Sequence, residues 1–87
     1  MIDIGSVLEG KYRIEKRIGA GSMAVVYRAM DVVLERPVAI KVMEHGDPEL
    51  LRAEARAMAR LRHENVVQVF SFGMHEDEPF LVIELIE

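Results

Sequence analysis

Two charged side chains lie among apolar neighbours, and their chemistry suits the binding of a phosphate group. Lys41 is the only charged residue in positions 37–43, and Glu54 shares a predicted helix face with Leu51. A buried ion without a partner costs several kcal/mol, so the most economical arrangement pairs the two side chains. A lysine held by a carboxylate can coordinate phosphate oxygens. Periodicity alone leaves a second arrangement open, in which Lys41 extends to solvent and Glu54 lies at the edge of the apolar helix stripe.

A glycine cluster could bind the same kind of ligand. Gly19, Gly21 and Ala24 approximate a phosphate-cradling loop, because a backbone without side chains lets its N–H groups approach oxygen atoms closely. Residues 25–29 are typical of a strand, whereas a Rossmann fingerprint needs a helix there, and the Gly-Lys-Ser/Thr of a P-loop is absent from the sequence. The cluster therefore predicts a glycine-rich hairpin. A tight turn with no ligand is the other interpretation of these glycines.

Hydrophobic periodicity predicts the elements that must position these residues. Tyr12, Ile14 and Ile18 alternate with charged residues, as in a half-buried strand, and Asp47 followed by Pro48 is a good helix start. The predicted elements are, in chain order, strands over 12–18, 25–29 and 37–43, a helix over 48–62, and strands over 66–72 and 80–86 joined by a turn over 73–79. This β-β-β-α-β-β order favours the α+β class, with an antiparallel sheet and one packed helix.

The predicted helix has two unlike faces, one apolar and one basic. The apolar face should pack on the sheet, and the basic stripe opposite it either receives a phosphorylated segment or an acidic partner, or is simply solvated. The residues of the two faces are Leu51, Glu54, Met58 and Leu61 on the apolar side, and Arg52, Arg56 and Arg60 on the basic side.

Composition narrows the class of protein. The 87 residues suffice for a single domain, and 51% hydrophobic with 30% charged residues is typical of a globular chain. A net charge of −4 disfavours nucleic acid as a partner, and the absence of cysteine favours a reducing compartment such as the cytoplasm. The apolar runs, such as residues 80–83, are far shorter than the roughly 20 residues of a membrane span, and no secretory signal is recognisable. We therefore expect neither nucleic acid nor membrane as a partner of this segment.

Taken in order, three motifs resemble those of the protein kinase family, specifically bacterial Ser/Thr kinases of the eukaryotic-like (Hanks) type. Residues 18–27 resemble the Gly-rich loop, residues 38–41 match the Val-Ala-Ile-Lys strand, and residues 63–67 resemble the connection from helix to strand. The resemblance spans nearly the whole chain and implies the N-terminal lobe of the kinase fold, a five-stranded antiparallel sheet with one packed helix, helix C. The implied divisions of residues 1–87 are a Gly-rich loop over 18–27, a Lys strand over 37–43, helix C over 48–62 and a hinge over 84–87.

The resemblance also implies roles for individual residues. Lys41 would contact the α- and β-phosphates of ATP and Glu54 would be its helix C partner, which makes these two the catalytic residues of the segment. Met58 and Val69 would belong to the hydrophobic regulatory spine, or are ordinary core. The residues implied to bind ATP are Gly19, Ala20, Gly21, Ser22, Met23, Ala24, Val26, Ala39, Lys41, Ile83, Glu84 and Ile86.

The adenine ring has its own implied contacts. Val26 and Ala39 would cover the ring, although their size and apolar character equally suit a core. Ile83 falls at the gatekeeper position. The Glu84 carbonyl and the Ile86 N–H would form hydrogen bonds with the adenine edge, and backbone groups of any residue type can do this.

Two features depart from the usual pattern of the family. Ala24 stands where a third glycine is usual, and Ser22 replaces a glycine that is common in the bacterial relatives, so either a stiffer loop or a less close approach of its backbone to the ligand is expected. Only 13 positions separate Lys41 from Glu54, a short connection that predicts a restrained helix C.

The family's catalytic loop, its Asp-Phe-Gly metal site and its second lobe would all follow Glu87. We therefore expect this segment to be inactive alone and to belong to a Ser/Thr kinase that transfers the ATP γ-phosphate to protein, with Mg²⁺ ligands in the parent only. The expected partners are the second lobe or a complementary fragment, a protein substrate through the parent, and a second copy of the chain. A pseudokinase-like regulatory module and a structural interaction domain are the alternatives. His45, His63 and His75 lack metal-ligand spacing, so no metal site is predicted.

Overall fold

The computed structural model describes residues 2–21, 24–43, 47–60 and 67–86. Its elements are strands β1 (Val7–Leu8), β2 (Tyr12–Ala20), β3 (Ala24–Asp31) and β4 (Arg36–Met43), helix α1 (Pro48–Arg60), and strands β5 (Val69–His75) and β6 (Glu78–Ile83). The helix that the structure describes, α1, is not long and apolar enough to cross a membrane.

Within the described residues, the six strands form one antiparallel sheet in the order β1-β2-β3-β4-β6-β5. The predicted α+β class, an antiparallel sheet with one packed helix, is confirmed. The strand beyond the predicted five is β1, where Leu8 pairs with Tyr12 and is completely buried. Two residues are too few to show a periodicity of two, so this strand has no signal in the sequence.

Strand β2 is less regular than its sequence pattern predicts. Tyr12 and Ile14 are buried as expected, but Ile18 is 45% exposed. The pairing with β3 shifts between Ile14 and Lys16 and again between Arg17 and Gly19. A β-bulge adds an unpaired residue and changes which face the following side chains occupy. The prediction that Ile18 is buried is therefore wrong.

The last hairpin is tighter than the sequence predicts. A turn over 73–79 was expected, but β5 and β6 continue until His75 pairs with Glu78, which leaves a loop of two residues. Those residues, Glu76 and Asp77, have φ values of 46° and 72°, the left-handed pair of a type I′ turn. Pro79 is buried within β6 at a position beyond the last pairing with β4, where its missing N–H removes no bond of that ladder.

Helix α1 begins as predicted. The Asp47 side chain accepts a hydrogen bond of 2.9 Å from the Glu49 N–H, and its carbonyl accepts one of 3.0 Å from the Leu50 N–H, so Asp47 is the N-cap. The described helix ends at Arg60; the predicted continuation to position 62 lies outside the described residues.

The face of α1 that packs on the sheet differs from the predicted one. Leu51 and Ala55 are buried, whereas Glu54 and Met58 are only partly covered, and Leu61 lies outside the described residues. Leu51 and Ala55 pack against Leu81 of β6. Packing on β6 thus rotates the helix toward Ala55, and Glu54 lies at the side of the contact.

The two faces of the sheet bury different clusters. One face forms a continuous apolar core in which Tyr12 and Phe80 meet edge to face, with ring centroids 6.3 Å apart. The members of this core include Leu8, Tyr12, Ile14, Tyr27, Val38, Ile40, Val42, Phe80 and Val82. The other face carries the helix on a smaller cluster of Leu51, Ala55 and Leu81, bordered by Met43, Val69, Phe72 and Ile83.

Candidate functional site

Lys41 and Glu54 form a direct ion pair. The Lys41 Nζ donates a hydrogen bond of 2.9 Å to the Glu54 Oε1. The predicted pairing is therefore confirmed. The prediction that both charges are buried is wrong, because the Lys41 and Glu54 side chains remain 30% and 39% exposed. The pair lies at an open face of the sheet.

Strand register and helix packing bring these two residues together. Lys41 of β4 lies directly opposite Leu81 of β6, and directly opposite residues of antiparallel strands project to the same face. Leu81 is also where Ala55 of α1 packs. Glu54 precedes Ala55 in the helix, so its carboxylate reaches the lysine beside the apolar contact. The alternative in which Lys41 extends freely to solvent does not hold.

Several other predicted site residues share the face that carries Lys41. Val26 lies opposite Lys41, and Ala39 lies opposite Ile83. Ala39 is only 4% exposed, whereas Val26 and Ile83 are half-buried. These residues place apolar side chains on the same face as the ammonium group. The opposite face of the same strands belongs to the large core.

The glycine cluster closes the β2–β3 hairpin. Gly19 pairs with Val26 and Ala20 pairs with Val25, and the Gly21 N–H donates a hydrogen bond of 2.8 Å to the Ala24 carbonyl. The loop residues Ser22 and Met23, also predicted to bind ATP, lie outside the described residues, and Ala24 begins β3.

The fold itself does not require glycine at Gly21. A Cβ there would meet no described atom within 4 Å apart from its chain neighbours, and the backbone is not left-handed. Gly73 is the opposite case, because a Cβ there would lie 2.5 Å from Phe80 Cζ and 2.7 Å from Glu9 Oε1. The glycine in the loop leaves open space around its backbone, whereas the glycine in β5 makes room for packing.

The segment after β6 forms hydrogen bonds with Gln68, the residue that precedes β5. The Glu84 N–H donates to the Gln68 carbonyl at 2.8 Å, and the Glu84 Oε1 accepts from the Gln68 N–H at 3.3 Å. Among the described residues, no backbone hydrogen bond engages the Glu84 carbonyl or the Ile86 N–H. The two groups implied to contact adenine are thus not used by the described part of the fold. Gln68 had no sequence signal, because its partner is 16 positions away.

Two contacts between arginines and aromatic rings have no signal in the sequence. The Arg52 guanidinium lies 5.1 Å from the centre of the Phe72 ring, and that of Arg36 lies 4.0 Å from the centre of the Phe70 ring. Arg52 was placed on the solvent side of α1, yet it contacts the sheet. Phe72 of β5 thus contacts an arginine of the neighbouring helix α1, and Phe70 contacts an arginine at the start of β4, on the far side of β6.

The remaining predicted positions add little to the site. Val69 borders the small helix cluster and Met58 is half-buried. The His75 Nε2 lies 4.0 Å from the Glu76 Oε2, while His45 and His63 fall outside the described residues. In the described part of the chain, no group of three or more His, Cys, Asp or Glu could hold a metal ion.

Comparison with known proteins shows the family to which the chain belongs. The family model for the protein kinase domain matches residues 12–87. The chain is 44% identical to the Ser/Thr protein kinase PknL of Mycobacterium tuberculosis, over 94% of this chain and 22% of that protein. It is 38% identical to the Ser/Thr protein kinase PrkC of Bacillus subtilis, over 97% of this chain and 14% of that protein. This chain belongs to the protein kinase family.

Solved structures support the fold. The apo form of PpkA-294 superimposes with a TM-score of 0.87 at 23% identity, over 98% of this chain and 38% of that chain. A crystal structure of the kinase domain of PF14_0431 gives a TM-score of 0.88 at 18% identity, over 97% of this chain and 27% of that one. The chain thus spans only a small part of its relatives' length and represents part of a kinase domain.

The family uses ATP and Mg²⁺, and the residues present fit the nucleotide. The site offers an ammonium group, a glycine loop with open space at its backbone, and an adjoining apolar surface. These are the donors and contacts that phosphates and a purine ring require. For Mg²⁺, the described residues provide no group of oxygen ligands.

Proposed function

We propose that this chain is the ATP-binding lobe of a Ser/Thr protein kinase, with Lys41 and Glu54 as its catalytic residues. The observation that carries the proposal is the 2.9 Å hydrogen bond between the two side chains on an open face of the sheet. An ion pair this exposed contributes only about 0.2–1 kcal/mol to stability, so a role in binding explains it better than a role in folding.

Lys41 contacts the α- and β-phosphates of ATP, and Glu54 orients it. An ammonium group has three N–H donors, of which one is directed at the Glu54 Oε1. The remaining donors are available to phosphate oxygens. The carboxylate also limits the rotamers of the long lysine side chain, so less conformational entropy is lost when the nucleotide binds.

The glycine hairpin covers the phosphates from the other side. Residues 19–24 form this loop in the proposal, and the open space at Gly21 supports it, because a phosphate oxygen can approach the backbone there. Ala24 adds a methyl group where the family usually has none, which stiffens the end of the loop.

The adenine ring lies on the apolar surface beside the lysine. Val26 and Ala39 contact one face of the ring, and Ile83 borders its far end. The Glu84 carbonyl accepts a hydrogen bond from the adenine edge, and the Ile86 N–H donates one to it. Among the described residues, no backbone hydrogen bond engages the Glu84 carbonyl or the Ile86 N–H, which supports this assignment.

Transfer of the γ-phosphate to a protein Ser or Thr is proposed for the kinase of which this chain forms a part. In-line transfer also needs a positioned base and Mg²⁺ ligands, so we expect residues 1–87 alone to be inactive. The second lobe or a complementary fragment would supply these groups. The open face of the sheet is where such a lobe, or a second copy of the chain, would bind.

The proposed divisions of the lobe are the Gly-rich loop over 18–27, the Lys strand over 37–43, helix C over 48–62 and the hinge over 84–87. A cytoplasmic location is also a proposal, supported by the absence of cysteine from the sequence. Cell fractionation with an antibody to this lobe tests the location.

Thermal unfolding with and without ATP and Mg²⁺ tests nucleotide binding. A ligand that binds only the folded state stabilises the protein, by about 2.7 kcal/mol when the ligand concentration is a hundred times Kd. The melting temperature of the protein therefore rises. We expect the protein of natural length to show this shift with ATP, and to keep it in Lys11→Met, an exposed lysine in the β1–β2 turn. The absence of any shift at saturating ATP contradicts the proposal.

A regulatory kinase-like module without catalysis is the second candidate, and Ala24 is the observation that favours it. The two candidates differ in one measurement, the transfer of labelled γ-phosphate to protein by the kinase of natural length. Binding of ATP with transfer supports the enzyme. Binding without transfer supports the regulatory module.

A further inference from the structure

The turn between β3 and β4 exposes three consecutive apolar side chains. Val32, Val33 and Leu34 are 40%, 64% and 61% exposed. Turns on a solvated surface usually carry Gly, Pro, Asn, Asp or Ser, and adjoining exposed apolar residues typically mark a binding surface. We refer to these three residues as the apolar tip.

Hydrogen bonds fix the backbone of the apolar tip. The Asp31 Oδ1 accepts hydrogen bonds of 2.9 Å from both the Val33 N–H and the Leu34 N–H, and Asp31 itself is only 6% exposed. The Val32 N–H donates to the Lys11 carbonyl at 2.8 Å. The exposure of the tip is therefore a property of the fold, and little backbone entropy is lost when the tip binds.

A cavity of about 350 Å³ adjoins the apolar tip, and its lining carries one positive and one negative charge. The lining residues are Arg13, Met30, Val32 and Glu35. Among the described residues, no ion pair engages the Arg13 guanidinium or the Glu35 carboxylate. Within the described part of the fold, both charged groups are thus available to a ligand.

The two charges favour a zwitterionic ligand over an anionic one. The net charge of this chain is −4, so a strongly anionic surface repels it. Arg13 and Glu35 together are neutral, and a ligand with one phosphate and one ammonium group complements both. The guanidinium donates hydrogen bonds to the phosphate oxygens, and the ammonium group donates to the carboxylate.

The small size of the apolar tip favours a lipid bilayer as the source of this ligand. A specific protein interface needs about 1,000 Å² or more of complementary surface, which three side chains of one turn do not provide. A bilayer accepts a few apolar side chains at its headgroup and acyl boundary. A soluble zwitterion fills the cavity but leaves Val33 and Leu34 in water.

We propose that the apolar tip and the adjoining cavity bind the surface of a bilayer that contains phosphatidylethanolamine. Val33 and Leu34 insert among the acyl chains. The headgroup phosphate pairs with Arg13, and the headgroup ammonium pairs with Glu35. The expectation of no membrane partner rests on the length of the apolar runs, and insertion of side chains from a turn needs no such run. This proposal does not depend on ATP binding at Lys41.

A fluorophore on the apolar tip tests the proposal in the protein of natural length. An environment-sensitive dye is attached to Val33→Cys in a background without other cysteines. Its emission moves to shorter wavelength when this position enters a bilayer, whatever other part of the protein contacts the vesicle. The same dye on Glu76→Cys, in the exposed β5–β6 turn, is the control and should not shift.

The composition of the vesicles tests the predicted headgroup. Vesicles of equal parts phosphatidylethanolamine and phosphatidylcholine should bind the tip at least about threefold more tightly than phosphatidylcholine alone, whose ammonium group has no N–H to donate. Equal parts phosphatidylglycerol and phosphatidylcholine should bind it most weakly, because of charge repulsion. Soluble glycerophosphoethanolamine without vesicles should leave the emission unchanged.

Two leucines of similar exposure provide a matched pair of variants in the labelled protein. Leu34 is 61% exposed and Leu50 of α1 is 63% exposed. Leu34→Asp should weaken vesicle binding by about tenfold because an inserted apolar side chain is lost, whereas Leu50→Asp should change it by less than about twofold. Aspartate is also favourable in the first turn of a helix. Glu35→Gln and Arg13→Gln, which add no bulk, should each remove the preference for phosphatidylethanolamine.

Four results would overturn the proposal. The first is an equal shift of the dye at positions 33 and 76, and the second is equal effects of Leu34→Asp and Leu50→Asp. The third is binding to phosphatidylglycerol at least as tight as that to phosphatidylethanolamine. The fourth is a shift without vesicles: one that grows with protein concentration would assign the tip to a second copy of the chain, and one caused by glycerophosphoethanolamine would assign the cavity to a soluble ligand. Melting temperatures show whether each variant is folded, and Glu35→Gln decides the case if Leu34→Asp is not.

Discussion

On one face of the sheet the side chains of Ile14, Ile40 and Phe80 are almost completely shielded from solvent, whereas on the other face Lys41 and Glu54 are about one third exposed. The shielded face gains its stability from apolar area removed from water, at about 25 cal/mol per Å². The open face gains little from its ion pair. The same strands thus separate the part of the fold that supplies stability from the part that supplies binding groups.

The comparison predicts that truncation of the shielded core will have the largest effect on stability. Phe80→Ala should lower the free energy of unfolding by about 3–5 kcal/mol, because it removes a fully buried ring and leaves a cavity. Phe70→Ala, at a 38% exposed edge position, serves as the control and should cost clearly less. Urea denaturation measures both, and equal losses would contradict the division between the faces.

The open face should show the reverse behaviour, with a large loss of activity and little change in stability. Lys41→Met should lower phosphoryl transfer by about 10²–10³-fold in the kinase of natural length, as expected when a preorganised electrostatic contact is lost. Its free energy of unfolding should change by less than about 1 kcal/mol, because the ion pair is partly exposed. Lys11→Met is the control for both assays. If Lys41→Met is strongly destabilised but its folded fraction keeps the original rate of phosphoryl transfer, the ion pair serves stability and not activity.

The two glycines sharpen the comparison at a smaller scale. Gly73→Ala places a Cβ against Phe80 and Glu9 and should cost about 1–3 kcal/mol through overpacking. Gly21→Ala meets no such obstacle and should leave stability unchanged or raised by about 0.4–1 kcal/mol, through lower entropy of the unfolded chain. Thermal unfolding compares the pair, and a destabilised Gly21→Ala would show that the fold needs this glycine after all.

A modest loss of stability is expected at the start of the helix that carries Glu54. Asp47→Ala removes the N-cap and should lower the free energy of unfolding by about 1 kcal/mol. Asp3→Ala, an exposed aspartate outside the helix, is the control. An equal loss of free energy of unfolding in Asp3→Ala would mean that the N-cap hydrogen bond makes no specific contribution to stability.

Local signals account for the parts of the fold that were predicted correctly. The cap at Asp47, the glycine hairpin after Gly19 and the apolar strand around Lys41 each depend on residues a few positions apart. The pairing of Lys41 with Glu54 is one of two arrangements that the sequence leaves open. The cost of an isolated charge favoured it, and the contact between α1 and β6 brings it about.

The wrong predictions concern places where residues far apart in the sequence come into contact. Ile18 is exposed because β2 bulges against β3, and the turn over 73–79 shrinks to two residues because β5 and β6 pair beyond it. The contact of Arg52 with Phe72 requires β5 to lie beside α1, and the contact of Arg36 with Phe70 requires β5 to lie near the start of β4. No periodicity within a single element contains that information.

The sequence by itself determined the type and order of the elements from β2 onward, the cap of α1 and the residue types available for phosphate binding. Each of these follows from backbone preferences and side-chain periodicity, which act over a few residues. Only the tertiary structure decided the position of β6 between β4 and β5, the rotation of α1 toward Ala55, and the exposure of the Lys41–Glu54 pair. These depend on which apolar surfaces pack together across the whole chain, and that choice sets how open the binding face remains.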